Sequence, residues 1–118
     1  MNKQQELILI PKYQEYTEYM LEILIKIPRI EKFSMGNWYK QSMYETLKNI
    51  IYFNKITEKQ RVEYLNIIDT ELQIQRIYLR IMCKQKYIDT KKFNVAIEKI
   101  GEIGKIVGGL MKYYAKNH

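Results

Sequence analysis

From Tyr13 to Ile27 the apolar residues Tyr13, Tyr16, Met20, Ile23, Leu24 and Ile27 recur at three- and four-residue steps, with Glu15, Glu18, Glu22 and Lys26 between them. That is the period of a helix with one buried face. Pro11 suits a first helical turn, where its missing N–H costs nothing, and Pro28 ends the run, so the spacing predicts a helix over 11–27. Residues 28–33 read as a connector. Ser34 is placed to cap a second helix by accepting a hydrogen bond from a first-turn N–H. The stripe Met35, Tyr39, Met43, Leu47, Ile50 and Phe53 carries that helix over 34–55. Thr57 with Gln60 has the form of a capping box and opens the longest helix, 57–86. Asp89 or Thr90 caps the last, 90–115, whose stripe is Phe93, Ala96, Ile97, Ile100, Val107, Met111 and Tyr114. Connections this short favour antiparallel neighbours. The expected architecture is all-α: one domain over 1–118, folded as an antiparallel up-down four-helix bundle.

Two helices carry more than a bundle needs. In the third, Leu65, Ile68, Leu72, Leu79 and Cys83 form one stripe, while Ile67, Ile74 and Ile81, spaced by seven, point the other way with Ile77 and Tyr78 beside them. A second apolar face marks either an interface between molecules or a helix wrapped on both sides by its own bundle. The fourth helix contains Gly101, Gly104, Gly108 and Gly109, each costing about 0.8–1 kcal/mol relative to Ala inside a helix. Gly101, Gly104 and Gly108 share one flank of the apolar stripe, which suits close approach by another backbone. The alternative is a helix that stops at Gly108-Gly109. The candidate oligomer interface is therefore Ile67, Ile74, Ile77, Ile81, Gly101, Gly104 and Gly108.

Composition narrows the class. With 2 Pro and 5 Gly in 118 residues the chain lacks the turn residues of a β-rich fold, and 47% hydrophobic residues suffice for one core. A single cysteine, Cys83, excludes an internal disulfide and suits a packed thiol. No segment is apolar enough to span a membrane, and the N-terminus lacks a signal-peptide pattern, so the expected compartment is the cytoplasm. The net charge is +7, and Lys plus Arg equal Asp plus Glu at five each over residues 1–33, so the excess falls in 34–118. A basic surface attracts polyanions, although 16 of the 20 cations are Lys, as compositional bias alone would produce.

Candidate chemistry is sparse. The one histidine is His118, at the end of the sequence. There is no Glu-x-x-His pair for a di-iron bundle site, no histidine base for a Ser or Cys nucleophile, and no Gly-rich loop after a strand. We expect no catalytic residue, no metal and no cofactor. Most of the 11 Tyr fall on core stripes, with Tyr44, Tyr52 and Tyr87 better placed for exposure. Arg76, Arg80 and Lys84 at i, i+4 and i+8 form a ridge on the third helix, and Lys105 and Lys112 a second on the fourth. These five are the candidate nucleic-acid-binding residues, weighed against a merely solvated helix face.

The order of these features resembles the accessory variability determinant (Avd) proteins of bacterial diversity-generating retroelements. The resemblance rests on Ile27-Pro28-Arg29, Lys32-Phe33 with Gly36, Leu72 with Arg76, Leu79-Arg80, and above all Glu102-Ile103-Gly104-Lys105 followed by Gly108-Gly109. It departs at Asn37-Trp38, where the family usually has an acid and an Arg, and at Leu110, where it usually has Trp. The related four-helix proteins encoded within ribosomal RNA intervening sequences share the proline connector but carry an Asn-x-Ala-Glu-Gly-like segment absent here. The resemblance implies a ring-shaped homopentamer with a basic surface, binding RNA or DNA and a reverse transcriptase, with no membrane and no small-molecule substrate. The rival expectation is a basic interaction adaptor for an acidic protein, without nucleic acid.

Overall fold

The computed structural model describes residues 2–117, with side chains over 6–116; His118 lies outside them. Four long helices, α1 (Asn2–Ile25), α3 (Met35–Phe53), α4 (Glu58–Lys84) and α5 (Thr90–Asn117), are joined by short connectors, the first of which forms a one-turn α2 (Arg29–Lys32). No strand occurs among the described residues. α3 packs on α1 and α4, and α5 on α4 and α1, so the helices stand at the corners of a square in a body of 46 × 24 × 20 Å. Glu6, Phe53, Arg61 and Tyr114 meet at one end, and Glu31 and Tyr87 at the other. Successive long helices therefore run antiparallel. No helix among the described residues is long and apolar enough to cross a membrane.

The core is built from the expected stripes. Tyr13, Tyr16, Met20, Ile23, Leu24 and Ile27 are all buried, as are Leu65, Ile68, Leu72 and Leu79, whereas Cys83 is partly buried. On α5 the stripe is wider than expected and includes Ile103, Ile106 and Leu110. At the centre of the core sits a polar group, the fully buried Gln75. Its Oε1 accepts from the Tyr13 hydroxyl at 2.9 Å, and its Nε2 donates to Ser42 Oγ and Thr46 Oγ1, each at 3.0 Å. Ser42 donates onward to Glu71 at 2.7 Å. The Tyr16 and Tyr39 hydroxyls pair with each other. Burial pushes the Tyr13, Tyr16 and Tyr39 phenols well up, so all three stay neutral.

Several boundaries differ from expectation. α1 starts at Asn2, and Pro11 lies in its interior rather than its first turn. Interior Pro costs about 3 kcal/mol, but Leu7, whose carbonyl loses its partner, is exposed, as is Pro11, so water can reach the gap. Burial of Leu9 and the Glu6–Arg61–Tyr114 cluster hold the extra turns in place. Ser34 stands at the N-cap of α3 without capping it: its hydroxyl donates to Glu31 Oε1 at 2.6 Å. Tyr87 donates to the other Glu31 oxygen at 3.0 Å, so it is partly buried rather than free. These two donors hold the Glu31 carboxyl below the usual carboxylate range. Thr57 also makes no cap to the backbone; its hydroxyl turns to the Gln60 side chain. Asp89 caps as expected, its Oδ1 accepting from the Lys92 N–H at 2.8 Å.

Candidate nucleic-acid interface

The two cationic ridges lie on neighbouring helices. Arg76, Arg80 and Lys84 advance about 40° per step around α4, so they turn from the groove beside α5 out towards solvent. Arg76 is half-buried, and Arg80 and Lys84 are exposed. The Arg76 guanidinium lies over Gly104, where any Cβ would collide with it. That contact places Arg76 level with Gly104 across the antiparallel pair. Arg80 and Lys84 extend from Arg76 in one direction along the seam, and Lys112 extends from Gly104 in the other, with Lys105 beside the crossing point. The five cations thus follow one line rather than two ridges, spanning roughly 24 Å at 1.5 Å per residue.

Their charges are available. Arg80, Lys84, Lys105 and Lys112 are exposed and make no ion pair among the described residues. Arg76 makes none either. Its charge is felt at the buried Tyr16 phenol, where it works weakly against the upward push of burial. Asp69, an acid on the same side of α4, pairs with none of them. On the far flank of α5 the charges are used up: Lys12 bonds Glu102 at 2.8 Å and Lys99 bonds Glu15 at 3.0 Å. Lys12 holds the Glu102 carboxyl below its ordinary range.

Within the protomer the three glycines differ in their surroundings. Where the sequence pointed to a backbone beside Gly104, the structure puts the Arg76 side chain. A Cβ on Gly101 or Gly108 would meet nothing within 4 Å, and α5 runs through Gly108-Gly109 without a break. Nothing in the protomer therefore requires glycine at 101 or 108. The second face of α4 is likewise not wrapped by the bundle: Ile67, Ile77 and Ile81 are exposed and Ile74 is half-buried. Among the described residues no group of three or more His, Cys, Asp or Glu is placed to hold a metal ion.

The fold and the seam define the class: an all-helical four-helix bundle protein with an exposed cationic seam and an uncovered apolar face. A model of the bAvd-like family matches residues 7–114, and the chain belongs to that family. Among solved structures it is similar to a protein with unknown function from the S23 ribosomal protein family of Bacteroides thetaiotaomicron VPI-5482. The TM-score is 0.83 at 17% identity, covering 92% of this chain and 98% of that one. At that identity the likeness speaks for the fold alone. No curated protein matches the chain.

Proposed function

We propose that the chain is a non-catalytic accessory subunit of a diversity-generating retroelement that assembles with copies of itself, as a pentameric ring, and binds template RNA and the reverse transcriptase during mutagenic retrohoming. The observation that carries this reading is the family match over residues 7–114. The seam of Arg76, Arg80, Lys84, Lys105 and Lys112 supports it, because cations free of acidic partners can turn to phosphates. Such contacts give affinity without sequence choice. In a ring the seam is repeated, and modest contacts on each subunit add through multivalency.

Filter binding of RNA across a salt series tests it, with sedimentation as control. Affinity should fall steeply with salt. Arg80→Glu with Lys84→Glu should weaken binding to unrelated sequences alike, and lower the salt slope by roughly one for each phosphate no longer held. Both side chains are exposed, so fold and assembly should persist. Absence of binding to RNA or DNA at low salt would leave the adaptor for an acidic protein as the better account.

A further inference from the structure

The outer face of α3 is used neither by the core nor by the α4–α5 seam. Tyr44, Lys48, Ile51 and Tyr52 fall at i, i+4, i+7 and i+8 and share one side of α3, and Lys55 follows in the turn just beyond its end at Phe53. With Leu47 they line an open groove of about 560 Å³ that contains no acid. Tyr44 is 52% exposed and Tyr52 48%, values unlike the fully buried Tyr13, Tyr16 and Tyr39. The Tyr52 ring lies nearly parallel to that of Tyr64 on α4, at 23° with centroids 6.0 Å apart, which fixes its orientation. Lys55 makes no ion pair among the described residues. Lys48 approaches only Glu45, at 3.9 Å between exposed side chains, a contact worth little in water.

Aromatic rings alternating with ammonium groups match a strand whose bases and phosphates are both accessible. We propose that this face of α3 is a platform for single-stranded RNA, with bases stacking on Tyr44 and Tyr52 and phosphates held by Lys48 and Lys55. The proposal rests on the RNA-binding reading above and adds to it a substrate class and a second surface, since α3 stands diagonally across the bundle from α5. Tyr44 and Tyr52 are about 12 Å apart along the axis. A stacked strand advances about 3.4 Å per nucleotide, so the two rings would take bases three or four nucleotides apart, with Lys48 midway. A duplex hides its base faces and would gain nothing from the tyrosines. A second copy across a two-fold axis would set the lysines of one subunit near those of the other.

Fluorescence anisotropy with a short labelled oligouridylate, and with an RNA duplex of the same length, tests this. Tyr44→Ala with Tyr52→Ala should weaken the single strand by about tenfold or more, the scale of lost base–aromatic stacking, and leave the duplex unchanged. Tyr44→Phe with Tyr52→Phe should restore single-strand affinity, because the ring and not the hydroxyl does the stacking. Unchanged single-strand binding by the alanine pair overturns the platform, as does an equal loss on the duplex. An alanine pair that sediments as a smaller species overturns it too, since the face would then be a self-interface. If native protein binds RNA and only Arg80→Glu with Lys84→Glu reduces it, the platform alone fails. If only the tyrosine pair reduces it, the seam fails and the platform stands. Native protein that binds neither probe at low salt removes both.

Discussion

Gln75 has no solvent exposure, and its amide has all its partners inside the bundle: Tyr13 on α1, Ser42 and Thr46 on α3. A satisfied polar group at the centre of a core ties three helices to one register, and removing it strands its partners. Gln75→Ala should therefore cost about 3 kcal/mol, more than a neutral hydrogen bond alone, because buried hydroxyls lose their acceptor and donor together. Tyr13→Phe should cost only about 1 kcal/mol. Since the two share a bond, urea titrations of the double variant should show less than the sum of the single losses, and strict additivity would mean the bond adds nothing. The burial of Gln75 is legible in the sequence, because it falls midway in the series Leu65, Ile68, Leu72, Leu79, Met82 at three- and four-residue steps. Its partners are not, since they depend on how α3 slides against α4. Arg76 behaves the same way. The i, i+4, i+8 series with Arg80 and Lys84 is plain in the sequence, whereas its seat over Gly104 follows from the α4–α5 register alone.

The helices themselves are legible from their stripes, and their ends much less so. Apolar periodicity depends on the whole length of a helix, but a terminus depends on a few local bonds. Ser34 and Thr57 have the right chemistry to cap, yet their hydroxyls find the Glu31 and Gln60 side chains instead. The start of α1 is set by contacts distant in sequence, from Glu6 to Arg61 and Tyr114. At the end of α4 the chain closes in the way a glycine usually allows. Lys86 has φ 64°, its N–H bonds the Cys83 carbonyl at 3.0 Å, and the Tyr87 N–H bonds the Met82 carbonyl at 2.8 Å. This is the paired bonding of a Schellman ending, made with a side chain that strains the left-handed conformation. Lys86→Gly should accordingly raise stability by about 1 kcal/mol, read as a higher urea midpoint with an unchanged slope. No gain would mean that contacts of the Lys86 stem offset the strain.

At the scale of the whole molecule the outward side of α4 is an apolar surface for which the bundle has no internal use. Ile67, Ile77 and Ile81 expose between 38% and 49% of their surface on the outward side of α4, and Gly101 and Gly108 border open space. A protein that stayed alone would gain nothing from either feature. Fully burying an exposed isoleucine side chain contributes about 1.5–3 kcal/mol. These three still have over a third of their surface to lose, so this face supplies part of one interface, while a ring also draws a second, different face from each subunit. Ile77 is the decisive position, being the most exposed of the three. A carboxylate placed there stays solvated in the protomer, and surface changes of that kind stay within about 0.5 kcal/mol, but in an interface it would be stranded. Ile77→Glu should therefore leave the helical circular dichroism and the urea midpoint of the protomer unchanged while sedimentation falls to that of a monomer. Gly108→Ala gives an independent arm, because a Cβ there meets nothing within 4 Å in the protomer, so weakened assembly with the fold intact would place a neighbouring subunit against it. If the native protein sediments as a clean monomer at micromolar concentration, the ring is excluded, and the exposed isoleucines fall instead to a different protein, for which the reverse transcriptase becomes the first candidate to test.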